Sequence, residues 1–226
     1  MNEQIRFLFD WSEVWALLIP IGYYLFHRNQ PGYLKPVIIY LFAALFINMF
    51  ANVIADYKRY FPSWMQSNNP LYNVHSVIRF VCFSYFFVTL KQSAFRKLKM
   101  ILPNLSLIII IINFIFVENF GNPEHLSGNL LSAEAYLLLI YCMLYYLAKL
   151  RDEAADITSG PDFWIVTGLS IYVVINFFVF LFYVPMINYD PNLANNIWDV
   201  HNIAYIIFCI FITKAFYESA RHQLTV

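Results

Sequence analysis

Two histidines, two glutamates, two asparagines and an arginine stand in stretches otherwise almost free of polar side chains. In "LYNVHSVIRFVCFSYFFVTL" (residues 71–90), His75 and Arg79 fall one helical turn apart and share a face. Glu13 sits in "SEVWALLIPIGYYLF" and Glu134 in "SAEAYLLLIYCMLYYL". Asn48 sits in "INMF" and Asn176 in "INFF", and His201 follows Asp199 in "NNIWDVHNIA". Imidazole exchanges a proton near neutral pH, and a guanidinium takes a carboxylate through two parallel hydrogen bonds. Gathered together, Glu13, Asn48, His75, Arg79, Glu134, Asn176, Asp199 and His201 would bind a small polar or ionisable solute.

What must position them is a set of membrane helices. Of 226 residues, 61% are hydrophobic and 12% charged, about half the ~25% expected of a soluble domain. The apolar residues come in blocks long enough to cross ~30 Å of hydrocarbon as helix. Helix is the required form, because in lipid each segment must satisfy its own backbone hydrogen bonds. Seven blocks are predicted: 7–26, 36–55, 71–90, 100–117, 130–149, 163–185 and 197–216. "HRNQPGYLK", "ENFGNPEHLSGN" and "MINYDPNLANN" read as turns between them. The fold class expected is an all-α, seven-transmembrane-helix bundle in one membrane domain. Asp10 and Glu13 interrupt any signal-peptide core, so the first block reads as a retained helix.

Lys and Arg in the short loops orient the bundle. Ten fall on one side and three on the other, with Arg79 left within the third block. The richer side is cytoplasmic, which puts the N-terminus outside and the C-terminus inside and demands an odd number of crossings. Trp11, Trp15, Trp64 and Trp198 then mark the outer boundary and Trp164 the inner one. The basic loop "KQSAFRKLK" belongs to this bias, and a net charge of zero gives no reason to expect nucleic acid. Cys82, Cys142 and Cys209 lie inside blocks and read as small apolar residues.

The polar landmarks recur in order. Glu13, Asn48 and His75 on the first three blocks match Glu134, Asn176 and His201 on the last three. Residues 7–90 and 130–216 would thus be parallel repeats joined by the fourth block, an arrangement that puts a site between the halves. This 3+1+3 layout resembles the transporter/opsin/receptor group of seven-helix proteins. The Pro-Gln pair of its sugar-permeating branch is missing. Lys214 lies too near the inner end to hold retinal, and no cofactor is expected. "GPDFWIVTGLSIYVVINFF" and "IWDVHNIAYIIF" resemble bacterial seven-helix membrane proteins sometimes found with sensor kinases, which implies a bacterial cytoplasmic membrane.

At ~1.5 Å per residue, His75, Glu134 and His201 lie ~6 Å inside the outer boundary, with Asn48 and Asn176 somewhat deeper. Polar groups at one depth should turn toward one another rather than toward lipid. Arg79 then needs an acid, and Glu13, Glu134 and Asp199 are at hand. The expectation is an outward-opening pocket lined by both acids and both histidines. Each residue also has a plainer role: Asp10 and Glu13 at the headgroups, the asparagines as interhelical glue, Arg79 in a structural ion pair, the histidines in packing.

Three functions follow from such a pocket. The first is translocation of a small polar solute. The second is sensing, with "RDEAADITSGPD" and the basic loop contacting a cytosolic signalling partner. The third is metal-dependent hydrolysis using His75, His201, Glu13 and Glu134, which the lack of any HExxH-like spacing and the presence of Arg79 disfavour.

Overall fold

The computed structural model describes residues 3–90, 95–113, 126–151 and 160–224. Among these the chain is all helix, with eight α-helices and no strand. They are α1 (Glu3–Asp10), α2 (Ser12–Phe26), α3 (Lys35–Asp56), α4 (Asn69–Thr89), α5 (Arg96–Ile112), α6 (Gly128–Arg151), α7 (Pro161–Tyr189) and α8 (Pro191–Leu224).

Five of these, α3, α4, α6, α7 and α8, are long and apolar enough to cross a membrane. The helix α2 is apolar but only 15 residues long, because the first predicted block breaks at Trp11. The backbone turns there, and Trp15 Nε1 reaches back to the carbonyl of Leu8 at 2.9 Å. Residues 114–117 of the predicted fourth block, and most of the stretches "ENFGNPEHLSGN" and "RDEAADITSGPD", lie outside the described residues.

Proline starts four helices. Pro36, Pro70, Pro161 and Pro191 each occupy the first or second position of α3, α4, α7 and α8, where the missing N–H costs nothing. This overturns the turn expected at "MINYDPNLANN": only Asp190 separates α7 from α8. Asp190 caps α8, its Oδ1 accepting from the amides of Asn192 (3.0 Å) and Leu193 (3.2 Å).

The helices pack in a closed ring, α2–α3–α4–α6–α7–α8 and back to α2, with α5 outside against α4 and α6. Two seams therefore join the first three-helix set to the last: α2 against α8, and α4 against α6. Close approach of α7 and α8 depends on Gly168, where an added Cβ would run into Phe211. The outward faces are apolar: Phe46, Val81, Tyr136, Phe178 and Ile210 are all exposed, as are most side chains of α5. The polar residues turn inward, an arrangement that suits a lipid solvent.

Candidate functional site

Each predicted polar residue except Asp199 is delivered to the ring interior by helical periodicity. On α4, Tyr72, His75, Ser76 and Arg79 form one inward stripe at spacings of three and four. On α7 Tyr172 precedes Asn176 by four, and on α8 His201 precedes Tyr205 by four. Glu13, Asn48, His75, Arg79, Glu134, Asn176 and His201 are all buried.

They do not form one undivided cluster. At the α4–α6 seam, Arg79 Nε and Nη2 meet Glu134 Oε1 and Oε2 at 2.5 and 2.6 Å, a bidentate pair. Arg79 Nη1 donates to the Tyr172 hydroxyl at 2.6 Å, and Ser76 Oγ donates to Glu134 Oε2 at 2.5 Å. Of the three acids open to Arg79, the fold selects Glu134. The guanidinium also lies over the Tyr172 ring, 5.0 Å from its centroid.

At the α2–α8 seam, Glu13 Oε1 and His201 Nε2 are 2.9 Å apart, joining residues 188 positions distant in sequence. Tyr72 donates its hydroxyl to Glu13 Oε2 at 3.1 Å. The other imidazole nitrogen, Nδ1, contacts Asn176 Oδ1. Asn176 Nδ2 donates to the Tyr172 carbonyl at 2.8 Å, which fixes the amide with its oxygen toward His201. Asn48 donates to the main-chain carbonyl of Glu13 at 3.3 Å, the interhelical glue that was its plainer reading.

His75 differs from its counterpart. It stacks on Tyr40, and its buried Nε2 has no hydrogen-bond partner. Arg79, one turn away on the same face, holds Glu134.

Where the sequence suggested a pocket opening outward, the structure has a closed core. Glu13, Tyr72, His75, Arg79 and His201 surround a cavity of only about 10 Å³, walled by Leu131, Phe180 and Trp198. That volume suits a single water molecule. The physical reason is that the buried polar groups take one another as partners, Glu134 with Arg79 and Glu13 with His201. Asp199 stands apart from this core. With Arg6, Asp10, Tyr183 and Asn192, Asn195 and Asn196, it lines a cleft of about 250 Å³ toward the α1 end of the bundle. Trp198 belongs to the walls of both spaces.

Tyrosines complete the site. Tyr72 and Tyr172 bond to the charged groups, while the Tyr40 and Tyr205 hydroxyls meet at 3.3 Å beneath them. Their signal was spacing: each of Tyr72, Tyr172 and Tyr205 lies three or four residues from a polar landmark on its own helix. Below lies a fully buried aromatic layer, in which Phe83 packs against Tyr40 and Phe208 with centroids 5.0 and 5.5 Å away. Among the described residues, no three His, Cys, Asp or Glu side chains are grouped to hold a metal ion. No family model, curated protein sequence or solved structure matches this chain.

Proposed function

We propose that this chain is a bacterial membrane protein of seven crossings, N-terminus outside, that binds a small polar or ionisable solute between two related halves and carries it across. The first crossing combines α1 and α2, and α5, with 17 residues, contributes ~26 Å of the fourth. Lys and Arg distribution supports the orientation.

One observation carries the reading: spaces bordered by at least one polar side chain lie in sequence along the bundle. The outer cleft and the charged core share Trp198 as a wall. Fourteen residues beyond His75 on α4, or ~20 Å, Thr89 and Leu90 line a third cavity of about 550 Å³ with Gly32, Tyr33 and Asp162. On α4, Phe83 of the aromatic layer lies between His75 and Thr89. A site closed on both sides, set between two helix triplets, is the occluded form expected of alternating access.

The reading is tested by a thermal-shift screen of small acids, amines, amino acids and sugars on wild type and His75→Leu. His75 Nε2 pairs with nothing, so its removal orphans no partner and the variant should fold. A solute that stabilises the wild type but not the variant is the expected result. Hits that stabilise both alike would place binding elsewhere.

A second reading, sensing through a cytosolic partner, is favoured by α8. It runs unbroken for 34 residues from the outer cleft through His201 to Arg221 and His222 in its last turn. A rigid helix of ~50 Å could carry a shift at His201 to that end.

A further inference from the structure

We infer that Glu13 and His201 form a proton-binding latch: one shared proton holds the α2–α8 seam closed, its loss releases that seam, and the α4–α6 seam serves as the hinge. This deepens the transport reading by naming the proton as the coupling ion, and it rests on that reading for its biological use.

Hydrogen-bond accounting at His201 requires the proton. Asn176 turns its amide nitrogen to the Tyr172 carbonyl, so only its carbonyl oxygen faces Nδ1. An oxygen acceptor there requires Nδ1 to carry hydrogen. Nε2 then faces Glu13 Oε1 at 2.9 Å. A neutral imidazole protonated at Nδ1 offers a lone pair at Nε2, and a carboxylate offers only lone pairs. The contact is attractive when one proton lies between them, whether it is written on the imidazolium or on the carboxylic acid. Without it, two lone pairs oppose each other in a buried, low-dielectric space and repel.

The surroundings single out this pair. From α4, Tyr72 donates to Glu13 Oε2, and His75 and Arg79 face the same cavity. Arg79 is already matched by Glu134 of α6, and a guanidinium does not give up its proton. From α7 come Tyr172 and Asn176, from α3 the amide of Asn48 on the Glu13 carbonyl, and from α8 itself Tyr205. One seam is thus held by a permanent ion pair and the other by a contact that needs a dissociable proton.

Release is balanced simply. The proton between Oε1 and Nε2 passes to water in the adjoining cavity, leaving a carboxylate and a neutral imidazole, and no other bond changes. Release would open the bundle beneath the outer cleft, whose walls are α1, α7 and α8. Asn202 Nδ2 also donates to the Phe9 carbonyl at 3.2 Å, a polar tie between α1 and α8.

The test places spin labels on exposed Leu8 (α1) and Leu193 (α8), the two helices facing across the cleft, with Cys82, Cys142 and Cys209 replaced by Ala. A control pair at exposed Val74 (α4) and Tyr136 (α6) spans the hinge. Distances are measured in lipid from about pH 5 to about pH 8. The Leu8–Leu193 distance should lengthen with rising pH by ~2 Å or more, the scale of helix shifts at an interface, while the control pair stays fixed. In Glu13→Gln the amide can donate to Nε2 at any pH, so the distance should stay short throughout. If that variant does not fold, His201→Gln, which donates to the carboxylate instead, makes the same prediction. A wild-type distance independent of pH, or a Gln variant that opens as the wild type does, overturns the latch. Solute uptake with no pH-dependent opening would remove the latch alone. Opening without uptake of any solute would keep the latch and remove the transport reading.

Discussion

At the scale of single residues, the core is held by Glu134 against Arg79 on one seam and Glu13 against His201 on the other. Counting depth brings Glu13, His75, Glu134 and His201 to one level, but cannot say which acid meets which base. That choice depends on helix rotation and on a ring order that sends α8 back against α2. The outcome is asymmetric, since Glu134 is claimed by Arg79 and His75 is left with a bare Nε2. Removing one partner of a buried pair leaves an uncompensated charge. Arg79→Gln should therefore cost ~3–5 kcal/mol, read as a lowered melting temperature in detergent. The double change Arg79→Met with Glu134→Met should recover most of that loss, because it removes both charges together. A single variant as stable as wild type would mean the ion pair contributes nothing. Arg79→Lys should rescue poorly, since a point charge cannot reproduce the two-pronged contact.

At the scale of helices, interiors were legible and ends were not. Apolar blocks of about twenty residues located α3, α4, α6 and α7 to within a few residues, because hydrocarbon thickness fixes their length. The α7–α8 connection was misjudged because proline and asparagine in "MINYDPNLANN" carry two meanings. Pro191 preceded by Asp190 is a helix start, and there it prevails over the turn. Asp190→Ala should lower stability by ~1 kcal/mol, the usual worth of an N-cap, measured by thermal or denaturant unfolding. Lys99 shows the same limit. As a loop cation it belongs to the positive-inside pattern, yet it is buried and donates to the carbonyls of Phe87 and Leu90 at the end of α4. Gly168 had no sequence signal at all, and its role appears only where α7 meets Phe211 of α8. Gly168→Leu should pry these helices apart, lowering the melting temperature and weakening binding of any solute that needs His201. Unchanged stability would show that the close approach is dispensable.

At the scale of the whole molecule, six helices close a ring, and an acid meets a basic side chain across both of its seams. The triplet order of Glu, Asn and His led to the expectation of an open pocket between two halves. It did not anticipate that the site would be shut, since closure follows from partners that only folding brings together. The proposed topology makes its own prediction. A cysteine at exposed Trp64 should react with a membrane-impermeant maleimide on intact cells, and one at Gln223 only after the cells are opened. The reverse pattern would invert the orientation. The most direct measurement of the central claim is uptake by proteoliposomes of the solute found in the thermal-shift screen. The account predicts saturable accumulation in vesicles carrying the wild type and none with His75→Leu. Saturable binding with no accumulation in wild-type vesicles would contradict it.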